Sequence, residues 1–585
     1  MGISWRKVLV ANRAEIAVRI IRACQEMGLE SVAIFSDADK DAPYISMVNE
    51  AYPLGDASPA ASYLNMDLII NIARKCGAEA IHPGYGFLSE NGEFARKCSE
   101  SGVKFIGPPP EVIHKMGDKI EAKKTMAAAG IPIIPGYSGD DQSEAFLKRM
   151  AKDIGYPVMI KAAAGGGGKG MRIVTAPGDF ASSVEAAKRE AQAAFGDGRV
   201  FLEKFVAKPR HIEFQILGDN YGNVIHLFER ECSIQRRHQK IIEETPSAAL
   251  TPSMRKKMGR AAVEAAKAAG YVNAGSVEFL FTSEEEFYFL EVNARLQVEH
   301  AITEAVTGID LVKWQLRIAD GQTLSIKQKD VQQRGHAIEC RIYAEDPRNQ
   351  FLPSAGRIHK IKIPQGVNIR NDIGIRSGGE VSTFYDPMIA KLIVYGENRG
   401  ESIEKMLWAL NNYAALGVET NIDFLKECID HEAFRLGHTY TTFINDHLST
   451  WLSSSSKAPL EAILAATLFE QLSKESNFTS FQAAYPVYAT PPTEELSPWK
   501  SIGKWRLGEG VLQKTEDVLQ KTISAGKKTL KRLNPFDKEE DGESMVKGSS
   551  KERTSFHQVD LDLYIDEDDI KEISKEGKKT AKRPK

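Results

Sequence analysis

The sequence predicts an α/β fold in its N-terminal part, an α+β fold in its central part, and a charged, largely disordered C-terminal extension. Three observations support this division. Short apolar runs alternate with amphipathic segments over residues 7 to about 118, which is typical of a doubly wound parallel sheet. Strand-like runs with short helices predominate from His211 to about residue 450. Beyond Leu452 the character of the chain changes, and from about Lys514 it is strongly charged, with too little apolar sequence for a core.

The N-terminal region supplies five strand candidates and two helix candidates. The strands are KVLVA, SVAIFS, EAYPLG, AIHPG and KFIGP, and the helices are AEIAVRIIRACQEMG and MDLIINIARKCG. Each strand is short and apolar, and each helix repeats its apolar residues every three or four positions. Because no GxGxxG motif follows the first strand, a dinucleotide site is not predicted.

A glycine run at residues 165–168 lies between predicted strands of a smaller second unit. Residues 119 to about 135 are predicted to form a helical linker before that unit, whose strands are PVMIKAA, MRIVTA and RVFLEKF. Glycine allows backbone N–H groups to approach phosphate oxygens, although a plain hairpin turn would use the same residues. The run is not a Walker A loop, because Ala163 and Gly170 break the GxxxxGK[ST] spacing.

Charged residues around the glycine run favour the phosphate interpretation. Lys119 precedes the linker and Lys161 ends the strand before the glycines, so two cations are available to phosphate groups. Glu203 and Lys204 end the same unit at a strand edge, where backbone groups could bind an adenine.

A highly charged hairpin candidate spans residues 278 to 300, EFLFTSEEEFYFLEVNARLQVEH. Two strands around a turn at residues 283–286 would place Glu278 opposite Glu291, and like charges across a strand pair are destabilising. Strand alternation predicts one polar face formed by Glu291, Asn293, Arg295, Gln297 and Glu299. This face is either solvated or a site for a hard divalent cation such as Mg²⁺, since it offers oxygen ligands and neither sulfur nor imidazole.

Further charged residues indicate an anion site near that hairpin. The basic run QRRHQK at residues 235–240 is either an exposed loop or, through Lys240 and Arg295, a site for a carboxylate-sized ligand. Glu299, beside an anion and a metal, is placed to act as a general base. Arg341 is a further fixed positive charge that could stabilise a developing oxyanion.

Composition excludes several function classes. The chain has 585 residues, a net charge of −3 and a pI near 6.5, which argues against nucleic-acid binding over the whole surface. Its six cysteines are scattered, so reduced thiols are expected rather than disulfides or a zinc site. No apolar run reaches the roughly 20 residues that span a bilayer. The first strand begins almost at once, so no signal peptide is expected and a cytoplasmic location is predicted.

The C-terminal extension is predicted to be mostly disordered. SSSSK is typical of a linker, APLEAILAATLFEQLSK is amphipathic, and charged segments predominate from about Lys514. The tail is either solvating or a docking segment for a partner, with VDLDLYIDEDDI the piece apolar enough to dock.

Eight segments together resemble the biotin carboxylase component of biotin-dependent carboxylases, which is an ATP-grasp enzyme. They are ANRAEIAVRIIRAC, AIHPGYGFLSEN, MGDK, KAAAGGGGKGM, RECSIQRRHQK, EVNARLQVEH, CRIYAEDP and FYDPMIAKL, in order from about Arg6 to Leu448. The resemblance implies a Rossmann-like N-terminal domain followed by ATP-grasp central and C-terminal domains. The expected boundaries are 1–118 for the N-terminal domain, 119–206 for the linker and ATP-grasp lid domain, 207–450 for the ATP-grasp and biotin carboxylase C-terminal domain, and 451–585 for the partly helical extension and its disordered tail.

The resemblance also implies ATP-dependent carboxylation of biotin with bicarbonate, through carboxyphosphate. This would be the first half-reaction of an acyl-CoA carboxylase (acetyl- or propionyl-CoA type) or a pyruvate carboxylase, with Mg²⁺ or Mn²⁺ as the metal. The implied partners are a biotin carboxyl carrier protein, a carboxyltransferase subunit and a second copy of the chain. Biotin is expected on a separate carrier, because no AMKM surrounds a lysine and GESMVKG is a poor match.

Two alternatives are an ATP-grasp ligase acting on another acid and a non-catalytic ATP-binding scaffold. The segments QRRHQK and EVNARLQVEH count against the first. Retention of Glu299, Arg341 and both metal carboxylates counts against the second.

Site residues follow from the resemblance by position. The catalytic set would be Glu299, Arg341, Arg295 and Lys240. ATP would be bound by Lys119, Lys161, Gly165, Gly166, Gly167, Gly168, Glu203, Lys204, His211 and Gln235. The metal ligands would be Glu278, Glu291 and Asn293; bicarbonate would contact Lys240, Arg295, Gln297 and Val298; biotin would contact Tyr85, His238 and Arg341. Two departures, Ala14 for the usual glycine and Ala301 for the usual proline, remove no reacting group.

Overall fold

The computed structural model describes residues 3–163, 171–237, 239–282 and 285–452, together with Leu464. The predicted glycine lid (residues 165–168), His238 and the predictions for the extension beyond Leu452 lie outside these described residues. The strands are β1 Lys7–Val10, β2 Glu30–Ser36, β3 Glu50–Gly55, β4 Ala80–His82, β5 Lys104–Phe105, β6 Gly136–Tyr137, β7 Val158–Ala162, β8 Arg172–Val174, β9 Val200–Lys204, β10 Arg210–Gly218, β11 Val224–Arg236, β12 Gln239–Thr245, β13 Asn273–Phe281, β14 Phe287–Asn293, β15 His336–Tyr343, β16 Glu345–Asp346, β17 Leu352–Pro353, β18 Gly356–Arg357, β19 Lys360–Lys362, β20 Ile369–Ile373, β21 Glu380–Val381, β22 Met388–Gly396 and β23 Ala414–Leu416. The helices are α1 Ala14–Glu26, α2 Met66–Cys76, α3 Gly92–Glu100, α4 Pro110–Gly117, α5 Lys119–Ala128, α6 Glu144–Ile154, α7 Phe180–Phe195, α8 Pro252–Ala269, α9 His300–Thr307, α10 Leu311–Ala319, α11 Arg399–Asn411, α12 Ile422–Asp430, α13 Glu432–Arg435, α14 Phe443–His447 and α15 Ser449–Leu452.

The N-terminal sheet is parallel throughout, in the order β3-β2-β1-β4-β5. The five predicted strands and both predicted helices are confirmed. Val8, Leu9 and Val10 are all fully buried, as expected for a central parallel strand that is covered on both faces. Helix α2 begins where Asn65 accepts a hydrogen bond from the Leu68 N–H, and it ends at Gly77, whose φ of 67° few other residues adopt.

The small second sheet has the strand order β6-β9-β7-β8 and antiparallel pairing. Its three predicted strands and the helical linker, α5, are confirmed. Helices α6 and α7 cover one face of the sheet, where Leu147 and Phe180 pack against Val158. The opposite face carries Lys161 and the end of β9.

The large central sheet has eight strands in the order β14-β13-β10-β11-β12-β15-β22-β20 and is antiparallel. Along β10, Ile212, Phe214 and Ile216 pack into an apolar core that includes residues of α8. His211 and Glu213 alternate with them and lie on the other face, yet both are also buried. The central sheet therefore has one apolar face and one buried polar face.

One local prediction from sequence is wrong, and one open alternative is decided. The second strand of the charged hairpin ends at Asn293, so Arg295 lies in a loop and Glu299 is the residue before α9. Alternation along residues 295–299 imitates a strand, but the chain turns there so that α9 can begin. Of the two alternatives for the QRRHQK run, the exposed loop does not hold for its paired residues: Gln235 and Arg236 of β11 pair with Lys240 and Gln239 of β12, and Lys240 lies against buried carboxylates.

Other sequence expectations concern the whole chain. Each of the six cysteines is buried and carries a free thiol. Among the described residues, no helix combines the length and the hydrophobicity that a bilayer crossing requires.

Candidate active site

A cavity of about 1440 Å³ lies between the polar face of the central sheet, the small sheet and the N-terminal region. The predicted site residues that line it are Tyr85, Lys119, Lys161, Glu203, Lys204, His211, Gln235, Lys240, Glu278, Glu291, Asn293, Arg295, Gln297, Val298 and Arg341. Glu299 lies beneath the wall and contacts two of them. The fold thus brings together residues from distant parts of the sequence in one concave space, as expected for a small-molecule site.

Lys240 is the centre of the charge network. Its Nζ lies 2.7 Å from Glu213 Oε2, 2.9 Å from Glu278 Oε1 and 2.7 Å from Glu299 Oε1. Burial lowers the pKa of this ammonium, but the three carboxylates outweigh burial and hold the pKa well above its ordinary value. Lys240 therefore remains charged, and its three N–H donors are directed at these three carboxylates.

Glu299 is fully buried and paired with two cations. Its Oε2 accepts a hydrogen bond from Arg341 Nη2 at 2.9 Å, in addition to the contact with Lys240. Burial raises the pKa of Glu299, but the charges of Lys240, Arg341 and Arg230 outweigh it, and the pKa is well below the usual range. The carboxylate is ionised, as a general base requires. Its proton affinity would rise when a bound anion engages the neighbouring cations.

Beneath Lys240 lies a second buried pair that sequence reasoning left unassigned. Arg230 Nε donates to Glu213 Oε1 at 2.6 Å, and Arg230 Nη1 donates to Gln215 Oε1 at 2.7 Å. Both Arg230 and Glu213 are fully buried. The signal for them was present in RHIEFQ, where polar and apolar residues alternate, and in FEREC, where three charged residues follow one another within a strand.

The loop after β14 is fixed to the N-terminal region. Arg295 Nε lies 2.8 Å from Glu90 Oε2, and the Ala294 N–H donates to Glu90 Oε1 at 3.1 Å. Arg295 also donates to Gln297 Oε1 at 3.0 Å and to Asn293 Oδ1 at 3.1 Å. Glu90 was not singled out from sequence, since it belongs to a different motif about 200 residues away.

The predicted metal ligands are adjacent and carry a donor set that suits a hard cation. Glu278 and Glu291 are direct cross-strand partners, and Asn293 Nδ2 donates to Glu278 Oε1 at 2.7 Å. Glu291 is the least engaged, with Lys119 Nζ 3.4 Å from its Oε2. Carboxylate and amide oxygens fit Mg²⁺. His211, Glu213 and Glu278 also lie together, but the Lys240 ammonium contacts both of these carboxylates and supplies the positive charge there.

At the other end of the cavity, Glu203 is held between two lysines. Its Oε2 lies 2.5 Å from Lys161 Nζ, and its Oε1 contacts Lys123 Nζ. Burial raises the pKa of Glu203, but Lys161 and Lys123 outweigh burial and lower it. Lys123 was missed from sequence. Glu203 thus pairs with Lys123 and also with Lys161, which is predicted to bind phosphate. The next residue, Lys204, is exposed.

Three further predicted residues, His211, Gln235 and Tyr85, also line the cavity. Gln235 Nε2 lies 2.6 Å from His211 Nδ1, and His211 Nε2 lies 2.8 Å from Glu278 Oε2. The Tyr85 hydroxyl is buried and has no hydrogen-bond partner among the described residues. The cavity lining therefore combines lysines, a carboxylate pair, an anion-type cluster and an aromatic residue.

Family models match three consecutive parts of the chain. They are the biotin carboxylase N-terminal domain at residues 4–113, the carbamoyl-phosphate synthase L chain ATP-binding domain at 118–327, and the biotin carboxylase C-terminal domain at 339–446. The mitochondrial methylcrotonoyl-CoA carboxylase subunit alpha of Rattus norvegicus is 50% identical over 480 residues, which is 82% of this chain and 67% of that protein. Biotin carboxylase 2 of Bacillus subtilis is 51% identical over 447 residues, which is 76% of this chain and 100% of that protein.

Solved structures are similar over the same part. The biotin carboxylase domain dimer of the Hydrogenobacter thermophilus 2-oxoglutarate carboxylase, in complex with MgADP, ADP and bicarbonate, has a TM-score of 0.75 and 46% identity. The match covers 78% of this chain and 100% of that chain. The three family models together cover every residue that lines the cavity up to Asn445.

Proposed function

The chain belongs to the biotin carboxylase family, and we propose that it carboxylates biotin with ATP and bicarbonate. The observation that carries the proposal is the arrangement around Lys240 and Glu299. An ionised buried carboxylate lies between two cations, Lys240 and Arg341, at the wall of a cavity large enough for a nucleotide and a second substrate. Such a group can accept a proton from an anion that those cations hold.

In the proposed reaction, Lys240, Arg295, Gln297 and Val298 hold bicarbonate, and Glu299 removes its proton. An oxygen of the resulting anion attacks the γ-phosphorus of ATP, the bond to ADP breaks, and carboxyphosphate forms. Carboxyphosphate releases CO₂ beside biotin, while its phosphate takes the proton of the ureido nitrogen. Arg341 stabilises the negative oxygen of the biotin enolate, which attacks CO₂.

The nucleotide would occupy the end of the cavity formed by the small sheet. Lys119 and Lys161 would neutralise phosphate charge, Glu203 and Lys204 would lie at the adenine, and His211 and Gln235 would lie near the ribose and phosphates. We assign Mg²⁺ or Mn²⁺ to Glu278, Glu291 and Asn293, where it would neutralise phosphate charge during transfer. Tyr85 and His238 would contact biotin; His238 and the glycines at 165–168 are assigned from the family pattern alone.

Partners and location extend the proposal. Biotin would arrive on a separate carrier protein, and the carboxyl group would leave with a carboxyltransferase subunit. The named relatives belong to carboxylases that act on different acids. Co-purification of the partner subunits would identify the final acceptor. A dimer is proposed because the Hydrogenobacter domain is described as one. A cytoplasmic location is proposed from the sequence, and fractionation tests it, since some relatives are mitochondrial.

The test is ADP release by the purified full chain, with bicarbonate and biotin each omitted in turn. We expect release to require bicarbonate and to be stimulated by free biotin. Tight ATP binding without turnover would instead support the scaffold, and turnover that needs a different acid would support another ATP-grasp ligase. The exposed helix variant Glu264→Gln serves as a control for handling and should match the wild type.

A further inference from the structure

A buried lysine that no predicted role accounts for lies behind the loop at residues 297–299. Lys391 is on β22, directly opposite Arg341 on the neighbouring strand β15. Its side chain is fully buried. An ammonium is costly to bury, so its position must be explained by the groups that compensate its charge.

The shortest of the Lys391 contacts given by the structure is to the loop. Lys391 Nζ donates to the Val298 carbonyl oxygen at 2.7 Å. The nearest carboxylate oxygens are farther away, at 3.3 Å for Glu15 Oε2 and 3.7 Å for Asp372 Oδ2. The Tyr85 ring centroid is 5.9 Å from Nζ. A lysine placed for an ion pair alone would approach its carboxylate more closely than a neutral carbonyl.

Glu15 confirms that the carboxylates do not fix this ammonium closely. Neither Glu15 oxygen has a hydrogen-bond partner among the described residues, and the same is true of Glu339, which lies on the same face of the sheet. Burial raises the pKa of Glu15 to about 7, with Lys391 only partly opposing it. Glutamine at position 15 keeps the size of this side chain and removes its charge.

The Val298 carbonyl belongs to the peptide unit that joins Val298 to Glu299. Because a peptide unit is planar, fixing its oxygen also fixes the direction of the Glu299 N–H and the start of the Glu299 side chain. On the other side, Gln297 is held by Ser276 Oγ at 2.9 Å and its carbonyl lies 2.8 Å from His300 Nδ1. Lys391 supplies the contact that orients the peptide unit joining Val298 to Glu299, which follows Gln297 in the loop.

We propose that Lys391 is a positioning residue for bicarbonate: by holding the Val298 carbonyl, it aims the Gln297 amide and the Glu299 carboxylate at the same bound anion. The inference rests on the proposed function, because it assigns these residues to bicarbonate. It adds a residue that does not touch the substrate and that belongs to a different strand from every proposed bicarbonate ligand.

The test compares two variants of the full chain, Glu15→Gln and the double variant Glu15→Gln/Lys391→Met. The double variant removes the Lys391 ammonium and the Glu15 carboxyl group together, so no carboxylate is left facing a missing cation at position 15. We expect Glu15→Gln to keep the wild-type KM for bicarbonate within about twofold. The double variant should raise that KM by about tenfold or more, because a small misplacement of reacting groups is expensive. Its KM for ATP should stay within about twofold of the wild type.

Three results for the double variant would count against the inference. An unchanged bicarbonate KM in the double variant would overturn it. An equal rise of the KM values for ATP and bicarbonate, or failure of the double variant to fold, would assign Lys391 to general stability instead. Lys391→Arg can still donate to the carbonyl, so its KM for bicarbonate should lie between the values of the wild type and of the double variant. A folded Lys391→Arg whose KM is as high as that of the double variant would contradict the positioning role. Absence of bicarbonate-dependent turnover in the wild type would refute the proposed function itself, which is a separate result.

Discussion

The N-terminal parallel sheet and the central antiparallel sheet bury opposite kinds of residue. Val8, Leu9 and Val10 of the first are apolar and fully buried. The second buries Glu213 and Arg230 just as completely, on a face whose side chains line or support the cavity. The first sheet gains stability by removing apolar area from water, whereas the second spends stability to hold charge. The difference indicates which sheet carries the chemistry.

The largest expected effect breaks the charged face at Glu299. Glu299→Gln removes the proposed base while keeping the side-chain volume, so biotin-stimulated ADP release should fall by about 10²–10⁴-fold. Steady-state ADP release measures it. Leu9→Ala in the parallel sheet should leave the KM values of the folded protein near those of the wild type, since it lies outside the cavity. Activity of Glu299→Gln within about tenfold of the wild type would remove Glu299 from the role of base.

The next effect compares what each sheet loses on truncation. Arg230→Met leaves Glu213 without its closest cation and should cost about 3–5 kcal/mol. Leu9→Ala opens a cavity and should cost about 2–5 kcal/mol. Chemical unfolding measures both free energies.

The two losses differ in how they can be repaired. Adding Glu213→Gln to Arg230→Met removes the buried carboxylate that lost its closest cation and should restore part of the stability. No change of charge repairs Leu9→Ala, because its cost is lost packing. If the added Glu213→Gln gives no recovery, the Arg230 loss is also a packing effect and the contrast between the sheets fails.

Sequence reasoning succeeded where one periodicity decided the structure. The five parallel strands were predictable because burial on both faces leaves short apolar runs, and the pairing of Glu278 with Glu291 followed from strand alternation around a short turn. Family resemblance, rather than spacing, supplied the ligand names. The strand end at Asn293 was missed, because loop residues 295–299 alternate polar and apolar side chains without being a strand.

What could not be predicted depends on contacts between distant segments. Arg295 pairs with Glu90, Lys391 holds the Val298 carbonyl, and each partner is about 90 to 200 residues away. No local pattern marks such a pair. A charged residue in an otherwise apolar strand is a usable signal, and it applies to Lys391 in β22.

A smaller effect contrasts two buried glutamates through pH. Glu244 of the central sheet lies 2.7 Å from Arg399 Nε and 3.1 Å from His336 Nε2. Burial raises its pKa, but His336 and Arg399 outweigh burial and lower the pKa from 4.5 to about 2. Its stabilising contribution is present above pH 4.5 and is lost as pH falls toward 2, because the unfolded chain then binds more protons.

The pKa of Glu15, at the start of α1, is shifted in the opposite direction, so its effect on stability has the opposite dependence on pH. Its folded pKa of about 7 exceeds 4.5, so the folded state binds more protons between these values and stability falls as pH rises through this window. Thermal unfolding from about pH 3.5 to 8.5 should show Glu244→Gln flattening the acid side and Glu15→Gln flattening the neutral side, each by roughly 1–3 kcal/mol. Parallel curves for both variants and the wild type would contradict the two assignments.

The smallest expected effect lies where the parallel sheet reaches the cavity. Ala14, which lines the cavity at the start of α1, has a φ of 55°, a left-handed conformation that costs an alanine about 1–2 kcal/mol. Ala14→Gly relieves that strain but adds freedom to the unfolded chain worth about 0.4–1 kcal/mol, so the net gain should stay below about 1 kcal/mol. Ala186→Gly, within α7, is the matched control and should lose about 0.5–1 kcal/mol. A gain of stability for Ala14→Gly and a loss for Ala186→Gly would show that the N-terminal region is strained where it contacts the cavity. Equal losses for the two variants would show that Ala14 carries no such strain.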